Sequence, residues 1–245
     1  MKLSVIVPTL NEYDFISNAI NSVRLKAVKG TPHEIIVVDC GSTDGTPYLV
    51  KQMKVKLIQC IPSMAGRAEP LNEGASVATG DVLLFLDADS ILPIGYDRDI
   101  SNALLNTEIV GGAFEFALDG KGFGLRLVEL INRIRYRISH QFYGDQGIFV
   151  RAGVFHKIGG YPKKKILESS EMCSTMSRMG KLVLIRKSVR TSPRRFIEGG
   201  VYRVLANDIK IWWLNIIGRP VDHFGNNYWK ENIIRGRNWK LTLYK

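Results

Sequence analysis

Two aspartates separated by one residue follow a short apolar segment in the first half of the chain. The segment, residues 82–86, is apolar throughout, which is typical of a short strand buried on both faces. Asp87 and Asp89 come directly after it, and side chains two residues apart in extended backbone leave the same face. Their carboxylates can therefore reach one cation, and such oxygens suit Mg²⁺ or Mn²⁺ completed by substrate phosphates. The alternative is a plain polar turn.

Carboxylates also stand where other predicted strands end. Glu12 follows the first strand, and Asp39 closes the second. Open α/β sheets bind their ligands at the carboxyl ends of the strands, so these side chains can accept hydrogen bonds from a nucleobase and from ribose hydroxyls. For Asp39 alone, the alternative is a cap on the turn that follows it.

Alternating strands and helices must bring these residues together. Strands are predicted at residues 3–7, 34–39, 55–58 and 82–86, and helices at 15–23, from 47 and at 67–79. We expect the first strand to stop at Pro8. Further strands are predicted at 109–116, 148–150 and 182–185, and further helices at 125–139, 167–179 and 201–217. The alternation predicts an α/β fold with a mostly parallel central sheet flanked by helices.

Composition and charge limit the class of protein. The chain has 245 residues, 45% of them apolar, and no apolar run approaches the roughly 20 residues of a membrane-spanning helix. Its first residues are too few and too soon interrupted by Pro8 for a signal peptide, and its three cysteines suit a reducing compartment. We therefore expect a cytoplasmic protein. Residues 151–245 carry 20 Lys and Arg against 6 Asp and Glu, so this part should attract anions.

Several nucleotide-binding classes are disfavoured by missing motifs. No Gly-x-Gly-x-x-Gly follows the first strand and no Walker-type Gly-Lys-Ser/Thr occurs, which argues against dinucleotide dehydrogenases and P-loop NTPases. A nucleotidyltransferase should carry a glycine-rich, basic loop after the first strand, where this chain has TLNE at 9–12. A nucleic-acid binder is the weakest interpretation, because the basic half has no recognised reader motif.

Four ordered motifs resemble those of family 2 glycosyltransferases with the GT-A fold. They are PTLNE at 8–12, VVDCGSTDGT at 37–46, NEGA at 72–75 and GDVLLFLDADS at 80–90. YGDQGIF at 143–149, GGYP at 159–162 and TSPRRF at 191–196 resemble a short bacterial and archaeal subgroup. The resemblance implies a Rossmann-like catalytic domain over residues 1–198, with a nucleotide-binding half (1–95) and an acceptor half (96–198). A helical, basic appendage over 199–245 would follow.

The resemblance also implies an activity and a donor site. The expected reaction is metal-dependent, inverting transfer of a sugar from a UDP- or GDP-linked donor to an acceptor hydroxyl, on a lipid carrier or a cell-surface glycan precursor. The residues implied for the donor nucleotide are Pro8, Glu12, Asp39, Arg67 and Asp87. Arg194 and Arg195 are predicted to clamp the donor diphosphate, because guanidinium groups match phosphate oxygens in a bidentate way, and the alternative is a plain surface pair. Asp89, with Asp87, is implied to hold the divalent metal.

The general base is where the chain departs from the family. The family usually takes it from an acidic pair on the helix after the Gly-Gly-aromatic turn, and Ser169 stands at the expected aspartate. A serine cannot act as a free base near neutral pH without an activating group. Glu168, Glu171 and Asp145 are the candidates that remain. The departure leaves open a non-catalytic nucleotide-sugar binder or membrane-attached partner.

Residues 201–217 combine apolar side chains with Trp212 and Trp213 in the basic part of the chain. Tryptophan beside Lys and Arg favours contact with a membrane surface, here at its cytoplasmic face. The alternative is a helix packed on the catalytic domain or on a second subunit of a homodimer.

Overall fold

The computed structural model describes residues 1–28, 33–60, 66–139 and 141–225. Within them the strands are β1 (Leu3–Thr9), β2 (His33–Asp39), β3 (Lys56–Gln59), β4 (Val82–Phe85), β5 (Ser90–Ile91), β6 (Ile109–Leu118), β7 (Ile148–Arg151) and β8 (Lys181–Thr191). The helices are α1 (Tyr13–Lys26), α2 (Thr46–Gln52), α3 (Ala68–Ser76), α4 (Tyr96–Ala103), α5 (Phe123–Ser139), α6 (Ala152–Lys157), α7 (Glu168–Ser177), α8 (Arg194–Gly199) and α9 (Val201–Ile216).

The described strands form one eight-stranded sheet in the order β3-β2-β1-β4-β7-β6-β8-β5. The first four in this order are parallel, and so are β6 and β8. β7 is antiparallel to both of its neighbours, and β5 is antiparallel to β8. The prediction of an α/β fold with a mostly parallel sheet is confirmed.

The central strands are mostly apolar because helices cover both faces of the sheet. Val5 and Val7 of β1 point to one face, in a cluster with Ile16 of α1. Ile6 points to the other face, in a cluster with Leu71 of α3. Alternate side chains of one strand thus enter separate cores, which is why the sequence shows a continuous apolar run instead of alternation.

The prediction that the first strand stops at Pro8 was wrong. β1 runs to Thr9, and Pro8 pairs with Val38 in register. Successive residues of a parallel strand bond to opposite neighbours, and Pro8 falls on the side of β4. The ladder to β4 has ended there, since its last bond is from Leu86 N–H to the Ile6 carbonyl. A missing N–H at Pro8 therefore costs no hydrogen bond in the sheet.

The prediction that residues 201–217 form a helix is close to the observed α9. One side of α9 packs on the rest of the molecule, where Leu205 joins Leu125 and Val128 of α5 and Phe196 of α8. No helix in the described part of the chain is long and apolar enough to cross a lipid bilayer. The predicted basic tail beyond residue 225 lies outside the described residues.

Candidate functional site

The carboxyl edge of the sheet brings four predicted acids to neighbouring positions. β2, β1 and β4 are adjacent parallel strands, so their carboxyl ends lie side by side. Glu12 stands just beyond β1, Asp39 ends β2, and Asp87 and Asp89 follow β4. The edge therefore presents a row of carboxylates at the place where α/β sheets bind ligands.

The two carboxylate oxygens of Asp39 have different surroundings. Its side chain is buried, and Oδ2 accepts hydrogen bonds from the backbone N–H groups of Gly41 (3.1 Å) and Ser42 (3.0 Å). Oδ1 is also buried and has no hydrogen-bond partner. One oxygen thus caps the turn, as the alternative interpretation expected. The other is an acceptor that needs a donor, because a buried unpaired oxygen is costly.

The loops after β1 and β2 hold each other by side-chain hydrogen bonds. Asn11, in the left-handed backbone region (φ 57°), donates its N–H to Ser42 Oγ (2.8 Å). Its side-chain Oδ1 accepts from the N–H of Thr43 (2.8 Å). The N–H of Glu12 donates to Thr46 Oγ1 (3.0 Å). The motif residues between the acids are therefore structural, because they fix the two loops against each other.

Glu12 meets a cation contributed by the far end of the chain. Its Oε1 accepts a hydrogen bond from the guanidinium of Arg194, while Oε2 is buried without a partner. The same guanidinium lies 3.3 Å from Asp89 Oδ2 and 4.6 Å from the ring centre of Phe15. Burial raises the pKa of Glu12 to about 7, and Arg194 only partly opposes this.

Pairing between β5 and β8 brings Arg194 to this place. Ser90 pairs with Thr191, and the Ser90 hydroxyl donates to Thr191 Oγ1 at 2.9 Å. The Thr191 hydroxyl in turn donates to Asp89 Oδ1 at 3.1 Å. Since α8 starts three residues after Thr191, its first residue is fixed beside Asp89.

Arg67 provides a second cation, which faces Asp87. It stands at the start of α3, and its guanidinium pairs with Asp87 Oδ1. It also lies against the 3₁₀ turn Gly144–Gln146, where a Cβ on Gly144 would come within 2.5 Å of Arg67 Nη1. A side chain at this position would therefore have to displace the guanidinium of Arg67.

Asp145, a candidate base, lies in a group of arginines. Its Oδ1 is buried without a hydrogen-bond partner, and burial raises its pKa although Arg135, Arg67 and Arg195 oppose the effect. Arg195 pairs with Asp208 of α9. Burial outweighs the positive neighbours, so the charged carboxylate is disfavoured at this position.

Two members of this group were missed by sequence reasoning. Arg135 lies 3.4 Å above the ring of Tyr143 and next to Asp145. Asp208 was visible only as a carboxylate that interrupts the apolar face of the 201–217 helix. A lone acid on an otherwise apolar helix face was the available signal, since buried carboxylates are usually paired. Arg135 gave no signal among the other arginines of α5.

Glu168 and Glu171, three residues apart on α7, have different surroundings. Glu168 is buried, and the Ser169 hydroxyl donates to its Oε1 at 3.2 Å. Glu168 also lies near the Tyr161 hydroxyl. Burial raises the pKa of Tyr161 well above its usual value, and Cys173 and Glu168 add to this effect. The Glu171 carboxylate is 42% exposed and pairs with Lys164. The structure therefore turns Glu168 inward and leaves Glu171 at the surface.

The two aspartates after β4 have the donor atoms that a hard divalent cation requires. The Asp87 and Asp89 side chains are 19% and 16% exposed, so their oxygens can be reached from outside. In the described part of the chain no group of three or more His, Cys, Asp or Glu could hold a metal ion. Two carboxylates fit a cation that takes its remaining ligands from substrate phosphates and water.

Residues 4–158, more than half of the chain, match the family described as glycosyl transferase family 2. The chain belongs to glycosyl transferase family 2. The matched range of this family 2 chain includes Glu12, Asp39, Asp87 and Asp89, but it ends before Glu168 and Arg194. The family resemblance inferred from the motifs is confirmed.

Among the relatives of this family 2 chain is the glycosyltransferase AglE of Haloferax volcanii. The two are 27% identical over 173 residues, which cover 67% of this chain and 57% of AglE. Poly(ribitol-phosphate) beta-N-acetylglucosaminyltransferase TarS of Staphylococcus aureus is 34% identical over 96 residues, covering 38% of this chain and 17% of TarS. The chain therefore spans little more than half of the first relative's length and a small part of the second.

Solved structures confirm the GT-A fold. Residues 1–349 of S. aureus TarS in complex with UDP-GlcNAc superpose with a TM-score of 0.65 at 20% identity, covering 99% of this chain and 76% of that one. A mannosyltransferase of Pyrobaculum calidifontis in complex with GDP-Man and Mn²⁺ gives a TM-score of 0.63 at 20% identity, covering 98% and 70%. At this identity the likeness establishes the fold alone.

Proposed function

We propose that this protein is a glycosyltransferase that moves a hexose from a UDP- or GDP-linked donor to an acceptor hydroxyl, with inversion and with a divalent cation. The observation that carries the proposal is the carboxyl edge of the sheet. There, Glu12 and Asp39 each hold a buried oxygen without a partner, and Arg67 and Arg194 face the two aspartates after β4. Acceptors for a nucleoside and cations for a diphosphate thus stand on one edge.

The nucleoside is assigned to the side of Asp39. The unpartnered Oδ1 of Asp39 can accept a hydrogen bond from the ring N–H of uracil or guanine. That bond would remove the cost of leaving the oxygen unpaired. Pro8 of β1 pairs in register with Val38, the residue before Asp39, so its ring would line the nucleoside side of the site. Glu12 Oε2 offers a second acceptor for a hydroxyl.

The diphosphate is assigned to Arg67, Arg194 and Arg195. Guanidinium groups match phosphate oxygens in a bidentate way. In the structure Arg67 pairs with Asp87, and Arg194 pairs with Asp89. Mg²⁺ or Mn²⁺ would be held by Asp89 with Asp87. When bound, the cation neutralises charge that develops on the departing nucleoside diphosphate. Arg67 and Arg194 then hold the leaving group in place.

Glu168 is assigned as the general base. It is turned inward, whereas Glu171 pairs with Lys164 at the surface and Asp145 is surrounded by arginines. Glu168 would accept the proton of the acceptor hydroxyl as that oxygen attacks the anomeric carbon. Ser169 would orient the carboxylate through its hydrogen bond to Oε1, which gives the unexpected serine a positioning role.

Titration calorimetry with UDP, GDP and their sugar conjugates, with and without Mn²⁺, tests the donor site. We expect metal-dependent binding of one nucleotide, lost in Asp89→Ala. Asp81→Ala is the matched control, because Asp81 lies at the opposite end of the same strand, where its carboxylate accepts the N–H of Lys2. Absence of binding to every nucleotide, or equal loss in both variants, would contradict the proposal.

Two variants then test the base. Glu168→Gln should reduce turnover by about 10²-fold or more while nucleotide affinity stays within a factor of about two. Ser169→Asp restores the family's acid, so increased turnover would assign the base position to residue 169 instead. A protein that binds donor but transfers nothing under any condition would favour the non-catalytic binder. The lipid-linked acceptor, the homodimer and the cytoplasmic location stay predictions.

A further inference from the structure

The outward faces of α5 and α9 carry exposed apolar side chains that the proposed reaction does not use. On α5 they are Phe123, Leu130, Ile134 and Ile138, and on α9 they are Tyr202, Ile209, Trp213 and Ile216. Phe123 is 78% exposed and Trp213 is 58% exposed. Within each helix these residues recur at spacings of three, four or seven, so each set forms one stripe along its helix.

The two stripes lie next to each other. Leu125 and Val128 of α5 and Leu205 of α9 share one buried cluster, so the helices pack side by side. At their starts, a Cβ on Gly124 of α5 would lie 3.0 Å from the Val201 side chain and 3.7 Å from the ring of Tyr202. Because Tyr202 begins the stripe on α9, the exposed residues of both helices form one surface, named here the α5–α9 face.

Positive charge accompanies the apolar side chains on this face. Arg137 of α5 and Arg203 and Lys210 of α9 are exposed. The acidic residues of the two helices are Glu129 and Asp208, and neither belongs to the exposed set. Glu129 pairs with Arg126, and Asp208 pairs with Arg195 of the donor site. The α5–α9 face therefore combines apolar, aromatic and cationic groups without an exposed acid.

We propose that the α5–α9 face binds the surface of an anionic lipid bilayer, with both helices lying in the plane of the membrane. Apolar side chains would enter the boundary between headgroups and acyl chains, Trp213 and Tyr202 would lie at headgroup level, and Arg and Lys would contact lipid phosphates. A second copy of the chain fits this face less well, since self-association would bring like charges together.

Membrane binding would also position the donor site. Asp208 on the inner side of α9 holds Arg195, so α9 would lie between the bilayer and the diphosphate end of the site. An acceptor anchored in the lipid would then lie near the diphosphate end of the site. This last step rests on the proposed function, whereas binding to lipid does not.

Vesicle sedimentation of the full chain tests the proposal without any donor or acceptor. We expect the protein to pellet with vesicles of phosphatidylcholine and phosphatidylglycerol, and to remain in solution with phosphatidylcholine alone or at high salt. The double variant Ile134→Ser/Trp213→Ser should reduce the apparent affinity roughly tenfold or more. The matched control, Leu25→Ser/Tyr48→Ser, alters exposed residues of α1 and α2 and should bind as the wild type does.

Tryptophan fluorescence gives a second readout. Anionic vesicles should shift the emission to shorter wavelength, and Trp213→Phe should remove most of the shift. No pelleting, equal pelleting with neutral vesicles, or equal loss in the control would overturn the proposal. Sedimentation velocity in which Ile134→Ser/Trp213→Ser abolishes a concentration-dependent dimer would assign the face to a second copy and would also overturn it. Melting curves confirm that each variant is folded.

Discussion

One carboxylate oxygen of Glu12 pairs with Arg194, while the other is buried without a hydrogen-bond partner. Removal from water disfavours the charged carboxylate more than Arg194 favours it, so the pKa rises from 4.5 to about 7. An unfolded chain would ionise this group near its ordinary value. The folded protein therefore bears an electrostatic cost at neutral pH, at a position where a ligand hydroxyl could offset part of it.

The sign of this linkage gives a prediction for Glu12→Gln. Between the unfolded and the folded pKa the folded state binds more protons, so wild-type stability falls as pH rises through this window. Relative to Glu12→Gln, the wild type should lose up to about 3 kcal/mol of unfolding free energy between about pH 5 and about pH 8. Urea unfolding at both pH values measures the difference.

Glu69→Gln is the control, because Glu69 is exposed on α3 and the same substitution there should change stability by less than roughly 0.5 kcal/mol at either pH. A wild type that gained stability over Glu12→Gln as pH rose would show that Arg194 dominates Glu12. The sequence placed Glu12 at the sheet edge. It could not reveal the raised pKa, because that depends on burial and on a partner 182 residues away.

At the scale of elements, the position of Arg67 depends on how closely α3 lies on the sheet. Gly74 of α3 faces β1 and β2, and a Cβ there would come within 2.5 Å of Ile6 Cγ2 and 3.0 Å of Val38 Cγ2. These methyl groups belong to buried strand residues that have no room to move. The glycine therefore sets the height of α3 above the sheet, and with it the reach of Arg67 to Asp87.

Gly74→Ala should destabilise the protein by about 1–3 kcal/mol, although alanine is the better helix former, because the core must shift to admit the methyl group. Nucleotide affinity should fall as Arg67 moves. Gly153→Ala is the matched control, since a Cβ at this helical glycine of α6 meets nothing within 4 Å. It should gain up to about 1 kcal/mol. Denaturant unfolding and calorimetry measure both effects, and a stabilised Gly74→Ala would disprove the close contact.

Elements were predictable where burial is uniform. Residues 34–39 and 82–86 were predicted within a residue of β2 and β4, since strands buried on both faces read as unbroken apolar runs. β8 is longer than its predicted core at 182–185, because Arg186, Lys187 and Arg190 interrupt the apolar pattern. β5 is two residues long and exists through its pairing with β8, so nothing local could indicate it.

At the scale of the whole molecule, the candidate site is assembled from distant parts of the chain. Glu12 and Asp89 come from the first half, and Arg194 reaches both from α8. Asp208 of α9 in turn holds Arg195. Sequence reasoning named most of these residues through motifs at strand ends. The contacts of Arg194 with Glu12 and Asp89 come from tertiary pairing across about a hundred residues or more, which no local pattern contains.

This assembly predicts that donor binding stabilises both halves together. A nucleoside diphosphate with Mn²⁺ at about 100 times its dissociation constant should add about 2.7 kcal/mol to the unfolding free energy. Hydrogen exchange should slow at residues 39–46 and at 191–199, because the ligand would engage Asp39 and Arg194 at once. The α4 helix, Tyr96–Ala103, serves as the internal control. Its exchange should slow only by as much as the gain in global unfolding free energy requires. Protection confined to 39–46 would contradict this prediction, since it would mean that the nucleotide binds to the first half alone and that Arg194 stays on Glu12.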